Sequence, residues 1–246
     1  MTFLGVVKSL WRYPVKSMLG EPVAALGLDG RGAAGDRLFA VRDDQGRFGS
    51  GKTTRRFVKI DGLFEYRAAY EDGVPVITFP DGRSLRGDDP AIHTELSAGL
   101  RRAVTLARER DISHFDDSPV HVVTTASLRW LERKLPASVV DERRFRPNLV
   151  LDTDGSEPVE QSWLGETIRV GPGVVLEITR PTERCVMTNF AQPKIPADGR
   201  IFACIGRESD LKFGVYARVL VGGEIRRGDP AEMVKALAAG DASGGP

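Results

Sequence analysis

The chain has 246 residues, 41% of them hydrophobic and 28% charged, the balance of a globular protein with one large or two small domains. Its 35 Lys and Arg stand against 34 Asp and Glu, a net charge of +1, which excludes the basic excess of a protein that binds nucleic acid or anionic membrane by charge alone. No run approaches the ~18 consecutive apolar residues of a membrane span. The opening Met1–Lys8 lacks the length and the small-residue site of a secretion signal, so Cys185 and Cys204, the two cysteines, are expected as free thiols in a reducing cytoplasm.

In chain order, short apolar or alternating runs predict strands over Phe3–Leu10, Pro22–Leu28, Arg37–Arg42, Phe57–Ile60, Phe64–Tyr70 and Val74–Phe79. Asp29-Gly30, Asp61-Gly62, Asp72-Gly73 and Asp81-Gly82 supply the turns between them. Asp89-Pro90 caps a predicted helix over Asp89–Leu100. After a strand at Val104–Leu106, charges cluster near Arg108–Pro119 and mark a domain boundary. Strands follow at His121–Thr124, Asn148–Asp152, Thr167–Val170, Val174–Thr179 and Gly214–Val221. Leu128, Leu131 and Leu135 set a helix over Ser127–Leu135. A second Asp-Pro start predicts a helix over Asp229–Ala239, and the Gly/Ser-rich 239–246 reads as a flexible tail. Many short strands with few helices point to barrels or sandwiches rather than a doubly wound sheet.

Gly46-Arg-Phe-Gly-Ser-Gly51-Lys52-Thr53 matches the P-loop pattern letter for letter. A P-loop cradles phosphate because a helix N-terminus follows it. Here the next residues, Thr54–Ile60, lean toward strand, so a basic loop is the better reading. Lys52, Arg55 and Arg56 remain available to a phosphate of another ligand. His93, His114 and His121 with two cysteines make no zinc set, lacking CxxC and HxxxH. Cys204, inside Ile201-Phe-Ala-Cys-Ile205, reads as core, and Trp11, Trp130 and Trp163 as core or rim.

Four separated runs join cations to turn chemistry: Leu10-Trp-Arg-Tyr-Pro-Val-Lys-Ser17, Gly35-Asp-Arg-Leu-Phe39, Arg143-Arg-Phe-Arg-Pro-Asn148 and Arg184-Cys-Val-Met-Thr188. Arg offers a planar fork of donors and Lys a compact charge, both suited to phosphate. In this order the runs resemble those of the MOSC family with its N-terminal β-barrel companion, and in particular bacterial reductases of hydroxylated bases and mitochondrial amidoxime-reducing components. The resemblance implies a mostly β fold with a few helices, a MOSC N-terminal β-barrel domain over residues 1–112 and a MOSC β-barrel domain over 113–238, with a cofactor cleft between them.

It further implies a molybdenum cofactor, a metal held by the dithiolene of a molybdopterin that carries a terminal phosphate. Cys185 would be the metal ligand and catalytic centre. Lys16, Ser17, Arg37 and Arg146 would bind the pterin or its phosphate, and Thr124, Thr125, Arg184, Thr188 and Tyr216 would line the same pocket. Glu183 stands where the family pattern suggests a small polar residue. The residue chemistry agrees: a soft metal favours thiolate sulfur, which nearby cations such as Arg180 and Arg184 stabilise.

The implied activity is reduction of N-hydroxylated or N-oxide substrates. No cysteine follows Cys204, so electrons are expected from a separate ferredoxin, flavin reductase or haem protein. Two other readings use the same residues: a persulfide sulfur carrier on Cys185, and a non-enzymatic carrier of the molybdenum cofactor.

Overall fold

Side chains that alternate along short strands decide the architecture of the computed structural model, which describes residues 1–115 and 117–235. Seven strands close a barrel. Around it run Leu149–Asp152, Val120–Thr124, Lys212–Val221, Val174–Glu183, Thr167–Val170, Pro230–Val234 and Thr2–Arg12, and the last pairs back onto the first. Val120–Thr124 and Leu149–Asp152 run parallel. Parallel neighbours need a crossover, and the helix Thr125–Lys134 supplies it.

The period of two sorts the side chains. Val120, Val122, Leu149 and Leu151 fill the barrel with Leu176, Ile178, Val215 and Ala217. The alternate residues Val123 and Val150 face outward, under Leu131 of the crossover helix and Ile201, Cys204 and Ile205 of the helix Gly199–Ser209. Burying one such aliphatic side chain contributes about 1.5–3 kcal/mol.

The first half holds a four-stranded sheet (Val104–Arg108, Phe39–Asp43, Phe48–Ser50, Phe57–Lys59) and a three-stranded sheet (Ser84–Arg86, Val74–Thr78, Arg67–Glu71). They share a core of Val15, Met18, Val41, Val58, Ile77 and Phe79, covered by Ile92 and Leu96 of the helix Ile92–Gly99. The two halves interleave. Thr2–Arg12 lies in the barrel of the second half, and Ala25–Asp29 pairs with Gly223–Arg226. The expected division near residue 112 is therefore crossed by three strand pairings.

Two expectations are corrected. Asp229–Ala239 does not open as a helix, because Pro230–Val234 is a barrel strand between Thr167–Val170 and Thr2–Arg12. Asp229 instead accepts the Arg226 N–H at 2.8 Å in the turn before that strand. The rest of that segment, with the predicted tail, lies outside the described residues. Ile201-Phe-Ala-Cys-Ile205, read only as core, is part of a helix whose N-cap Asp198 accepts from Arg200 N at 3.0 Å. As expected, the P-loop-like string is followed by a strand, Phe57–Lys59, parallel to Phe48–Ser50, rather than by a helix. No helix among the described residues is long and apolar enough to cross a membrane.

Candidate functional site

A cavity of about 320 Å³ opens where the two halves meet, and Lys16, Ser17, Arg37, Arg146, Arg184, Cys185 and Tyr216 all line it. The first two basic runs reach it because each is pinned to the other. Buried Asp36 accepts the Tyr13 N–H at 2.7 Å, Arg37 N donates to Tyr13 O at 2.7 Å, and Lys16 N donates to Phe39 O at 2.8 Å. Three of the lining residues sit in the left-handed region: Ser17 at φ 63°, Arg37 at φ 49° and Arg146 at φ 53°. For a residue with a Cβ this costs roughly 1–3 kcal/mol and persists only where the surroundings enforce it, which is typical of binding sites.

Each cation is aimed by further contacts. Lys16, 2% exposed, donates from Nζ to His114 O at 2.9 Å and lies 4.9 Å from the Phe57 ring centre. Ser17 Oγ donates to Gly49 O at 3.0 Å. Arg37 pairs with Asp36 and reaches Arg146 O at 3.4 Å. Arg146 Nη1 donates to Met18 O at 2.6 Å, across the junction of the halves. The guanidiniums of Arg146 and Arg37 lie 4.2 and 5.0 Å from the Tyr13 ring centre, so one aromatic ring serves both. Burial pushes the Tyr13 phenol up despite those two charges, so it stays protonated.

Cys185, half-buried, follows the strand Val174–Glu183 and opens the 3₁₀ turn Val186–Asn189. Thr188 N and Oγ1 both donate to Cys185 O, at 3.2 and 3.1 Å. Thr188 thus holds the turn that carries the thiol but does not itself line the cavity. Arg184 Nη2 donates to Phe145 O at 2.8 Å, while its Nε is buried with no hydrogen-bond partner among the described residues.

Thr124 and Thr125 stand away from the cavity. Thr124 Oγ1 donates to buried Glu160 at 2.6 Å and caps the crossover helix by accepting from Ser127 N at 3.1 Å. Thr125 Oγ1 donates to Asp152 at 2.8 Å.

The cavity also takes in Lys52, Asp117, Ser118, His121, Asn148 and Glu183. His121 was given no role from sequence, yet a signal was present. It interrupts the apolar run Val120–Val123 on a buried strand, and a buried polar side chain is the informative exception. Lys52 belongs to the P-loop-like string, whose glycines now have a different reason. A Cβ on Gly51 would stand 2.8 Å from Met187 Cγ and 2.9 Å from Phe190, so glycine lets this loop close on the turn beside Cys185. Lys52 and Lys16 share the Phe57 ring, with Lys52 Nζ 5.6 Å from its centre. Lys52→Ala is expected to weaken inorganic phosphate binding about fivefold, the worth of roughly 1 kcal/mol, with an unchanged melting temperature. Equal affinity in a phosphate titration would remove Lys52 from the cradle.

Among the described residues no three His, Cys, Asp or Glu converge to hold a metal ion. One thiol surrounded by cations instead suits a metal that arrives with most of its ligands, on an anionic organic group that bears phosphate. The orphaned Arg184 Nε, beside the thiol in sequence, is in keeping with such a ligand.

The family model for the MOSC N-terminal beta barrel domain matches residues 4–111, and that for the MOSC domain matches residues 109–232. No curated protein matches the chain. Among solved structures, the YUAD protein from Bacillus subtilis is similar over 95% of this chain and 97% of its own, with 13% identity and a TM-score of 0.52, a likeness of fold. YiiM from Geobacillus stearothermophilus matches over 65% of this chain and 70% of its own, with 17% identity and a TM-score of 0.37.

Proposed function

We propose, from the premise that the chain belongs to the MOSC family, that its cleft binds the molybdenum cofactor and that the protein reduces N-hydroxylated or N-oxide substrates with electrons from a separate redox protein. The family is associated with binding of that cofactor. The observation that carries the reading is the placement of one half-buried thiol, Cys185, in a cleft whose cations come from both halves of the chain.

In this reading the thiolate of Cys185 ligates the metal. Lys16, Arg37 and Arg146 hold the phosphate, with Ser17 at the same corner, and Arg184 and Tyr216 wall the space beside the thiol. When bound, the group supplies two-electron redox chemistry, while the protein supplies orientation and electrostatics. The left-handed turns at Ser17, Arg37 and Arg146 contribute by holding donors in place before the ligand arrives, which lowers the ordering cost of binding.

The test is protein made in a host that synthesises the cofactor, assayed with reduced viologen and a simple amidoxime. Viologen oxidation that depends on both substrate and bound molybdenum is the expected result. Bound molybdenum without turnover would leave a carrier instead of a reductase. A labile sulfur on Cys185 in metal-free protein would mark sulfur handling. Absence of molybdenum from the purified protein, with no such sulfur, would overturn the reading.

A further inference from the structure

We infer that His121 is a positioning residue that orients Arg184 and the backbone of Arg146 so that both guanidiniums face an anion in the cleft. The inference rests on the cofactor-binding reading above.

His121 is 4% exposed and lines the cavity. Its backbone is fixed by Asn148, whose Oδ1 accepts His121 N at 3.1 Å and whose N donates to His121 O at 2.9 Å. The side chain then meets two arginines. Arg184 Nη1 lies 3.4 Å from His121 Nε2, and the carbonyl of Arg146 lies 3.5 Å from Nδ1. A guanidinium can only donate and a carbonyl can only accept. One tautomer satisfies these two contacts, with a bare Nε2 and a protonated Nδ1, while the Phe213 carbonyl, also bonded to the ring, favours the other and competes for its single N–H. Burial, reinforced by the charges of Arg184 and Arg37, holds the imidazole well below its ordinary range, in keeping with a neutral ring.

The space for this ring is shaped by its neighbours. Tyr216 is its cross-strand partner, with ring centres 5.5 Å apart. Gly214 has φ 80°, and a Cβ there would come within 2.6 Å of His121 Nε2. Glycine at this position therefore leaves room for the Arg184 guanidinium beside Nε2. With Nη1 on His121 and Nη2 on Phe145 O, the guanidinium plane is set at two points. The carbonyl that receives Nδ1–H belongs to the left-handed Arg146, so the same imidazole contacts the turn that aims the second cation.

Two measurements test this. In wild-type protein labelled with ¹⁵N-histidine, the ring nitrogens of His121 are expected to show an unprotonated Nε2 and a protonated Nδ1 at neutral pH. The opposite tautomer, or a doubly protonated ring, would overturn the inference without any variant being needed.

Inorganic phosphate is then titrated into cofactor-free wild type, His121→Leu, His121→Gln and Lys16→Ala, followed by ³¹P NMR. His121→Leu is expected to lose at least about tenfold in affinity, while His121→Gln, whose amide can accept from Arg184 and donate to the Arg146 carbonyl, stays within about threefold. Equal losses in both would make the role one of packing and overturn the inference. Affinity lost in Lys16→Ala but kept in His121→Leu would overturn the role of His121 alone. A wild type that binds no phosphate would sink the cofactor-binding reading and this inference with it.

Discussion

Cys185→Ala will strip the protein of molybdenum, to below about a tenth of the wild-type content, when both are made in a cofactor-competent host and measured by elemental analysis. Cys185 is the thiol in the cleft, and no other can replace it. Cys204 is 1% exposed beneath the helical layer, where burial pushes its thiol up and away from the thiolate form that binds metals. The side chain can be removed at little structural cost. The turn around it is held by Thr188 donating to the Cys185 carbonyl, a contact that alanine preserves. The variant should melt within about 1 kcal/mol of wild type and still bind inorganic phosphate, since the cations are untouched. Equal molybdenum in the two proteins would end the assignment of Cys185 as a ligand.

The largest loss of stability is expected at Arg144, which lines the cleft but spends its guanidinium on three backbone carbonyls. Arg144 is 1% exposed. Its Nε donates to Val139 O at 2.8 Å, Nη1 to Thr188 O at 3.2 Å and Nη2 to Pro196 O at 2.7 Å. One guanidinium thereby joins three stretches of chain, including the turn that follows Cys185. Burial lowers its proton affinity, and Asp198 and Asp141 oppose that. Arg144→Ala leaves one buried and two part-buried carbonyls without this donor, a cost of about 2–4 kcal/mol, or a fall in melting temperature of roughly 4–16 °C for a chain of this size. Arg144→Lys rescues little, because one ammonium cannot span three acceptors set for a planar fork. Urea denaturation measures both, and an Arg144→Lys variant within about 1 kcal/mol of wild type would disprove the staple.

Arg144 also shows where sequence reading stops. The run Arg143-Arg-Phe-Arg146 offers three arginines of equal promise. In the fold, Arg143 pairs with Asp141, Arg144 is the staple, and Arg146 turns left-handed toward the cleft. Only tertiary neighbours separate them. Most barrel strands were legible, since Val, Leu and Ile alternate along them and Gly or Asp breaks them. Capping signals were less dependable. Asp89-Pro90 precedes a helix and Asp229-Pro230 a strand, because the apolar face of the second segment is taken up by two flanking strands. Thr124 and Thr125 were read as pocket residues, but Glu160 and Asp152 claim their hydroxyls. His121 could not be assigned because Arg184, which it braces, lies 63 positions along the chain.

The place of Thr2–Arg12 between Leu149–Asp152 and Pro230–Val234 sets an order of events during synthesis. Thr2–Arg12 is made before both of its partners and must wait for Pro230–Val234 before both of its edges are covered. Until then it is an open edge rich in Val and Leu, the kind of segment that pairs with the wrong neighbour. The barrel, and with it the second wall of the cleft, closes late. Any ligand that needs both walls can enter only after Pro230–Val234 has been made and paired.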